Sequence, residues 1–170
     1  MAGAKGQSKI AVCADNIRQL VGASQIYANE NQGILPALVP PGGGAWAWDL
    51  LMAPAQALLN IGLQKKNFYC PGTEPRFTDW QNWQAPGLAR NLWDFNTNSV
   101  GGIHIIGYSL AYWGSLSKLA PTNQNRTIQP ELINYGGTYL AVPNAQRVLV
   151  ADVILSWGST LPGYLHPEND

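Results

Sequence analysis

Lys9-Ile-Ala-Val-Cys13-Ala-Asp-Asn-Ile17-Arg-Gln-Leu20-Val-Gly-Ala-Ser24-Gln-Ile-Tyr27-Ala-Asn-Glu30-Asn-Gln-Gly33-Ile-Leu-Pro36 is the stretch on which the reading of the fold turns. Ile10, Cys13, Ile17, Leu20, Ser24 and Tyr27 recur at alternating spacings of three and four, while Lys9, Arg18, Gln25 and Glu30 fall largely elsewhere. That period predicts one long amphipathic helix over residues 6–32. Ile10, Ile17, Leu20 and Tyr27 are expected to form its packing stripe against a core. Asn31-Gln32-Gly33 supplies the stop, with Gly33 able to take the left-handed conformation, and Pro36 bars resumption. At 1.5 Å per residue the helix would run roughly 40 Å, long enough for its first turns to project beyond the core.

Downstream, Pro40-Pro41-Gly42-Gly43-Gly44 reads as a flexible loop. Residues 48–63 read as helical, with Asp49 as N-cap and an interruption near Pro54. Residues 64–102 carry three Pro, four Gly and three Trp without sustained periodicity, which predicts a long, ordered, loop-rich insertion. Beyond it, residues 103–113, 139–142 and 147–156 are rich in Ile, Val, Leu and Tyr and are separated by Gly, Pro and Asn clusters, the pattern of antiparallel strands. Helix first and strands later gives an α+β fold: a long N-terminal helix packed on an antiparallel sheet built mainly from 103–170. The whole chain, 1–170, is expected to be a single head-like domain in which 1–33 is the helical segment.

Hydrophobic residues make up 46% and charged residues only 12%, so the chain has the means to bury a core and is not disordered through charge. Surface polarity comes instead from 14 Asn and 11 Gln with many Ser and Thr, which suits an exported protein. Ten basic residues balance ten acidic ones, without the basic patch a nucleic-acid partner would require. The longest apolar runs fall far below the roughly 20 residues that span a bilayer. Nor does Met1-Ala-Gly-Ala-Lys5 contain the apolar core of a signal peptide.

The stretch from Cys13 to Pro36 resembles the segment after the transmembrane half-helix in the large pilin-like families of Planctomycetes, Verrucomicrobia and Lentisphaerae that carry a prepilin-type N-terminal cleavage and methylation domain. There a Cys-x-Asn-Asn-Leu-Arg-Gln-Leu-like run leads into Tyr-Ala, an Asn/Asp pair, Gly and Leu/Phe-Pro. Phe68-Tyr69-Cys70-Pro71 is similar to the family's aromatic-Cys-Pro turn, and Val148-Leu149-Val150-Ala151-Asp152 to its late apolar strand. The family's basic leader and Phe-Thr-Leu-(Ile/Val)-Glu run are absent, which implies a truncated chain with Met1 as an added start. Many relatives also carry a further element beyond a His such as His166, where this chain stops.

The resemblance implies a type IV pilin-like fold and a structural subunit of a type IV pilus-like or type II secretion pseudopilus-like filament. Its partners would be other pilin-like subunits and the inner-membrane assembly machinery, with the full-length parent anchored through the missing segment. The expected localisation is the bacterial cell envelope, the head facing the periplasm or the exterior. The competing class is a secreted glycan-binding or adhesive module using exposed Trp.

In an oxidising envelope the only two cysteines, Cys13 and Cys70, suggest one disulfide worth roughly 4 kcal/mol in the chain-entropy model. The alternative is two buried thiols, since Cys13 lies on the apolar stripe. Seven Trp (46, 48, 80, 83, 93, 113 and 157) read as core filling beneath the long loop, with a sugar-stacking platform as the sharper alternative. Asp79 with Asp94 or Glu74 could bind calcium, but the spacing of a calcium loop is missing, and His104 and His166 form no close ligand pair with the cysteines. No metal and no cofactor are expected. The chain has no Gly-x-Ser-x-Gly, His-Glu-x-x-His or phosphate-cradling Gly-Lys-Ser/Thr, so no catalytic residue is assigned and a non-enzyme is expected. His104 reads as a satisfied sheet histidine, and Asp152 as a carboxylate held by loop amides or Arg147.

Overall fold

A computed structural model describes residues 2–38, 47–71, 93–94, 102–114, 124–128, 132–135, 138–141 and 148–152. The expected helix is present as α1, Ala2–Glu30, 29 residues and roughly 43 Å long. It has no acidic residue in its first turn and no basic residue in its last, so the helix dipole is left uncompensated. Tertiary packing therefore has to hold it. Its end follows the expected signal: Gln32 and Gly33 take φ of 58° and 83°, and the Gly33 N–H returns to the Ala28 carbonyl at 2.7 Å.

After α1 the chain runs through buried Leu35 and Leu38. It reappears as β1, Asp49–Leu51, which leads directly into α2, Met52–Asn60. The expectation of helix from residue 48 with Asp49 as cap is corrected here. Asp49 is buried within a strand, and Leu51 takes the N-cap position with no side-chain hydrogen bond. Nor does Pro54 interrupt the helix. It falls in the first turn of α2, where a backbone N–H would have no intrahelical partner anyway. A 3₁₀ turn, Lys65–Phe68, follows, closed by the Gln64 N–H on Asn67 Oδ1 at 2.8 Å.

Five more strands complete the described structure: β2, Ile103–Ile105; β3, Tyr108–Leu110; β4, Leu132–Tyr135; β5, Thr138–Ala141; and β6, Val150–Asp152. All three pairings are antiparallel. β1 pairs with β2 (Leu50 opposite His104), β3 with β6 (Ser109 opposite Ala151), and β4 with β5 (Ile133 opposite Leu140). The fold is thus mixed α+β, but the single expected sheet is replaced, among the described residues, by three two-stranded ladders.

Two physical causes divide it. The Gly107 N–H donates to the Phe68 carbonyl at 2.8 Å, so the run from 103 to 113 breaks into β2 and β3. And β1, from the first half of the chain, takes the edge of β2 that a purely C-terminal sheet would have used.

α1 lies against the 3₁₀ turn, α2 and β6. Leu20, Leu50, Leu58, Phe68, Ile106, Tyr108, Leu110 and Tyr112 are fully buried in the core it covers. The expected stripe is correct from Ile17 onward: Leu20 is fully buried and Ile17 and Tyr27 are half-buried against the cluster. Ile10 is not part of it. At 71% exposure it lies on the stretch of α1 that runs past the end of the core.

Candidate functional site: the inner and outer faces of the long helix

The inner face of α1 is polar at intervals, and each polar group is matched. Asn16, three residues after Cys13 and four before Leu20, donates from Nδ2 to the Tyr69 carbonyl at 3.1 Å and accepts from Asn67 Nδ2 at 3.1 Å. Asn67 also donates to Gln19 Oε1 at 2.9 Å. The 3₁₀ turn is thereby fastened to α1 by side-chain amides.

Two turns further along, Ser24 donates to the Leu20 carbonyl at 2.6 Å, which leaves its oxygen to accept from the Tyr112 hydroxyl. Burial pushes the Tyr112 phenol up to about 12, and the bond to Ser24 only partly opposes that shift.

Cys13 and Cys70 are both buried and both are thiols, so the bridge considered from the sequence is not formed in this structure. Both residues belong to the same buried core cluster. Tyr108 points its hydroxyl at Cys13 Sγ, 3.5 Å away. Its phenol is raised first by burial, then by that bond, and both cysteines act on it electrostatically. Neither Tyr108 nor Asn16 was singled out from the sequence. The available signal was an amide on an otherwise apolar stripe, where burial demands a partner.

His104 is a sheet histidine, as expected. Its ring stacks on Trp93 with centroids 4.0 Å apart, and Nδ1 bonds the Trp93 carbonyl. The carbonyl can only accept, so Nδ1 carries the proton. Burial lowers the pKa, outweighing the bond to Trp93 and the Asp94 charge, which raise it. Trp93 is buried between His104 and Phe68, with the Lys65 ammonium 5.5 Å from its ring, as core filling would have it. Trp113 is 45% exposed and faces the Arg126 guanidinium at 5.2 Å.

Among the described residues no group of three or more His, Cys, Asp or Glu could hold a metal ion. Trp46, Glu74, Asp79, Trp80, Trp83, Arg147, Trp157 and His166 lie outside the described residues. Asp152 is opposite Tyr108 in the β3–β6 register, and its side chain is likewise outside them.

The outer face of α1 is different in kind. Residues 6–12 are almost entirely exposed, and Ile10, Val12 and Ile26 present large apolar side chains to solvent. No helix among the described residues is long and apolar enough to cross a membrane. Comparisons with family models, with curated proteins and with solved structures found no match to this chain.

Proposed function

We propose that the chain is the head of a pilin-like or pseudopilin-like filament subunit of the bacterial envelope, a structural protein without catalytic activity. The observation that carries this reading is the division of α1. From Cys13 onward it is fastened to the domain by buried side chains, whereas its first turns run past the core with Ile10 and Val12 exposed. A helix so divided suits a subunit whose N-terminal end inserts among neighbouring helices while the remainder holds the head. The sequence similarity from Cys13 to Pro36 adds to it, and implies a pilin-like fold, a membrane-anchored precursor and assembly with other pilin-like subunits.

The test uses antibodies raised against this chain and applied to sheared envelope material from the source cells. Labelled filaments are expected, built of a protein whose mature N-terminus is a methylated residue followed by an apolar run. A native protein that is secreted singly after signal-peptide cleavage would overturn the assignment. It would favour instead an adhesive or glycan-binding module, for which exposed Trp113 is the supporting feature.

A further inference from the structure

Cys13 on α1 and Cys70 just after the 3₁₀ turn belong to the same buried cluster, on the two sides of the seam between those elements. Asn16, one turn along α1 from Cys13, holds the carbonyl of Tyr69, the residue before Cys70, at 3.1 Å. Tyr108 places its hydroxyl 3.5 Å from Cys13 Sγ. Opposite, a Cβ on Gly107 would sit 3.2 Å from the Cys70 backbone nitrogen, so the Cys70 segment is pressed inward with no side chain between it and β3. The two cysteines therefore share one buried cluster, with Cys13 held by Tyr108 and the Cys70 segment by the Asn16 bond to the Tyr69 carbonyl.

We propose that Cys13 and Cys70 are a preorganised dithiol that closes into an internal disulfide by exchange with a small-molecule disulfide, tying α1 to the Phe68–Pro71 turn. One thiol, as thiolate, attacks glutathione disulfide, forming a protein–glutathione mixed disulfide and releasing one glutathione. The second protein thiol attacks the protein sulfur of that bond, forming Sγ–Sγ and releasing the other glutathione. Two protein thiols are oxidised, one glutathione disulfide is reduced, and the two thiol protons end on the released glutathiones. Because Asn16, Asn67 and Tyr108 bring the two segments together as the chain folds, exchange during folding, before burial excludes the oxidant, closes the bond between them. This pairing stands or falls independently of whether the chain assembles into a filament.

The chain is unfolded in denaturant and refolded in buffers of fixed reduced-to-oxidised glutathione ratio, so that burial does not keep the oxidant out. It is then quenched, alkylated and weighed. In oxidising buffer a monomer is expected that takes up no alkyl group, is lighter by its two thiol hydrogens and yields a peptide joining positions 13 and 70. Its melting temperature should exceed that of the reduced chain by roughly 10 °C. C13A and C70A should each stop at a single glutathione adduct. A folded chain that carries two glutathiones, retains two alkylatable thiols in oxidising buffer or forms disulfide-linked dimers overturns the proposal, and the wild-type measurement decides it without either variant.

Discussion

Asn16 and Tyr69, 53 positions apart, are joined by a 3.1 Å hydrogen bond from the Asn16 side-chain amide to the Tyr69 backbone carbonyl. The same Asn16 side chain accepts from Asn67, so one residue of α1 satisfies both its neighbour's amide and a buried carbonyl. An N16A variant leaves both without that partner. Asn67 keeps Gln19 Oε1, so the cost is mainly that of the Tyr69 carbonyl losing its buried donor, and a loss of about 1–3 kcal/mol is expected in urea unfolding. A change of only a few tenths would mean that water replaces the amide without penalty.

The boundary between the fastened and the overhanging parts of α1 is open to a paired test. Leu20 is fully buried, and L20A is expected to lower stability by about 2–5 kcal/mol. Ile10 is mostly exposed, and I10A should stay within about 0.5 kcal/mol of the wild type. Equal losses at the two positions would show that the core extends under Ile10 after all.

Gly107 is placed by crowding. A Cβ there would come within 3.2 Å of the Cys70 nitrogen and 3.3 Å of the Tyr69 Cα, both backbone atoms that cannot swing aside. G107A is therefore expected to destabilise by about 1–3 kcal/mol through a forced backbone shift. Thermal melts of the two proteins measure it, and an unchanged or higher melting temperature would contradict the close approach of β3 to the turn.

Stability should also depend on pH through His104. Its pKa is lowered from 6.5, chiefly by burial, so the folded imidazole stays neutral where the unfolded one begins to take a proton. The unfolded state then binds more protons, and stability present above pH 6.5 is lost as the pH falls from 6.5 toward the lowered folded value. Urea midpoints at about pH 7.5 and about pH 5.5, compared with those of H104N, isolate this contribution. The wild type should lose more than the variant between the two, and parallel profiles would show His104 to be protonated in place.

Much of α1 was legible because helical periodicity and the Asn31-Gln32-Gly33 stop are local signals. Cys13, Leu20 and Ser24 were read correctly as facing inward. Ile10 obeys the same period yet lies outside, since periodicity reports which face a residue is on and not whether the core reaches that far. Asp49 was misread for a related reason: an acid before an apolar run is a good cap, but burial in β1 against β2 overrode that local preference. The split between β2 and β3 depends on a hydrogen bond from Gly107 to Phe68, 39 positions earlier by subtraction, which no local pattern records. β4 was missed because Leu132–Tyr135 is short and mixes Asn134 among its apolar residues.

The side-chain ties on α1 at Cys13, Asn16, Gln19 and Ser24 are spread along about three turns, and each runs sideways from the helix to the domain. Tension applied along the helix axis would load them side by side, in shear, where several bonds must yield together before the head slips. A sideways pull at the overhanging end would peel them one after another, starting at Cys13. The domain is thus mechanically anisotropic, strong against stretching along α1 and weak against levering of its overhanging turns.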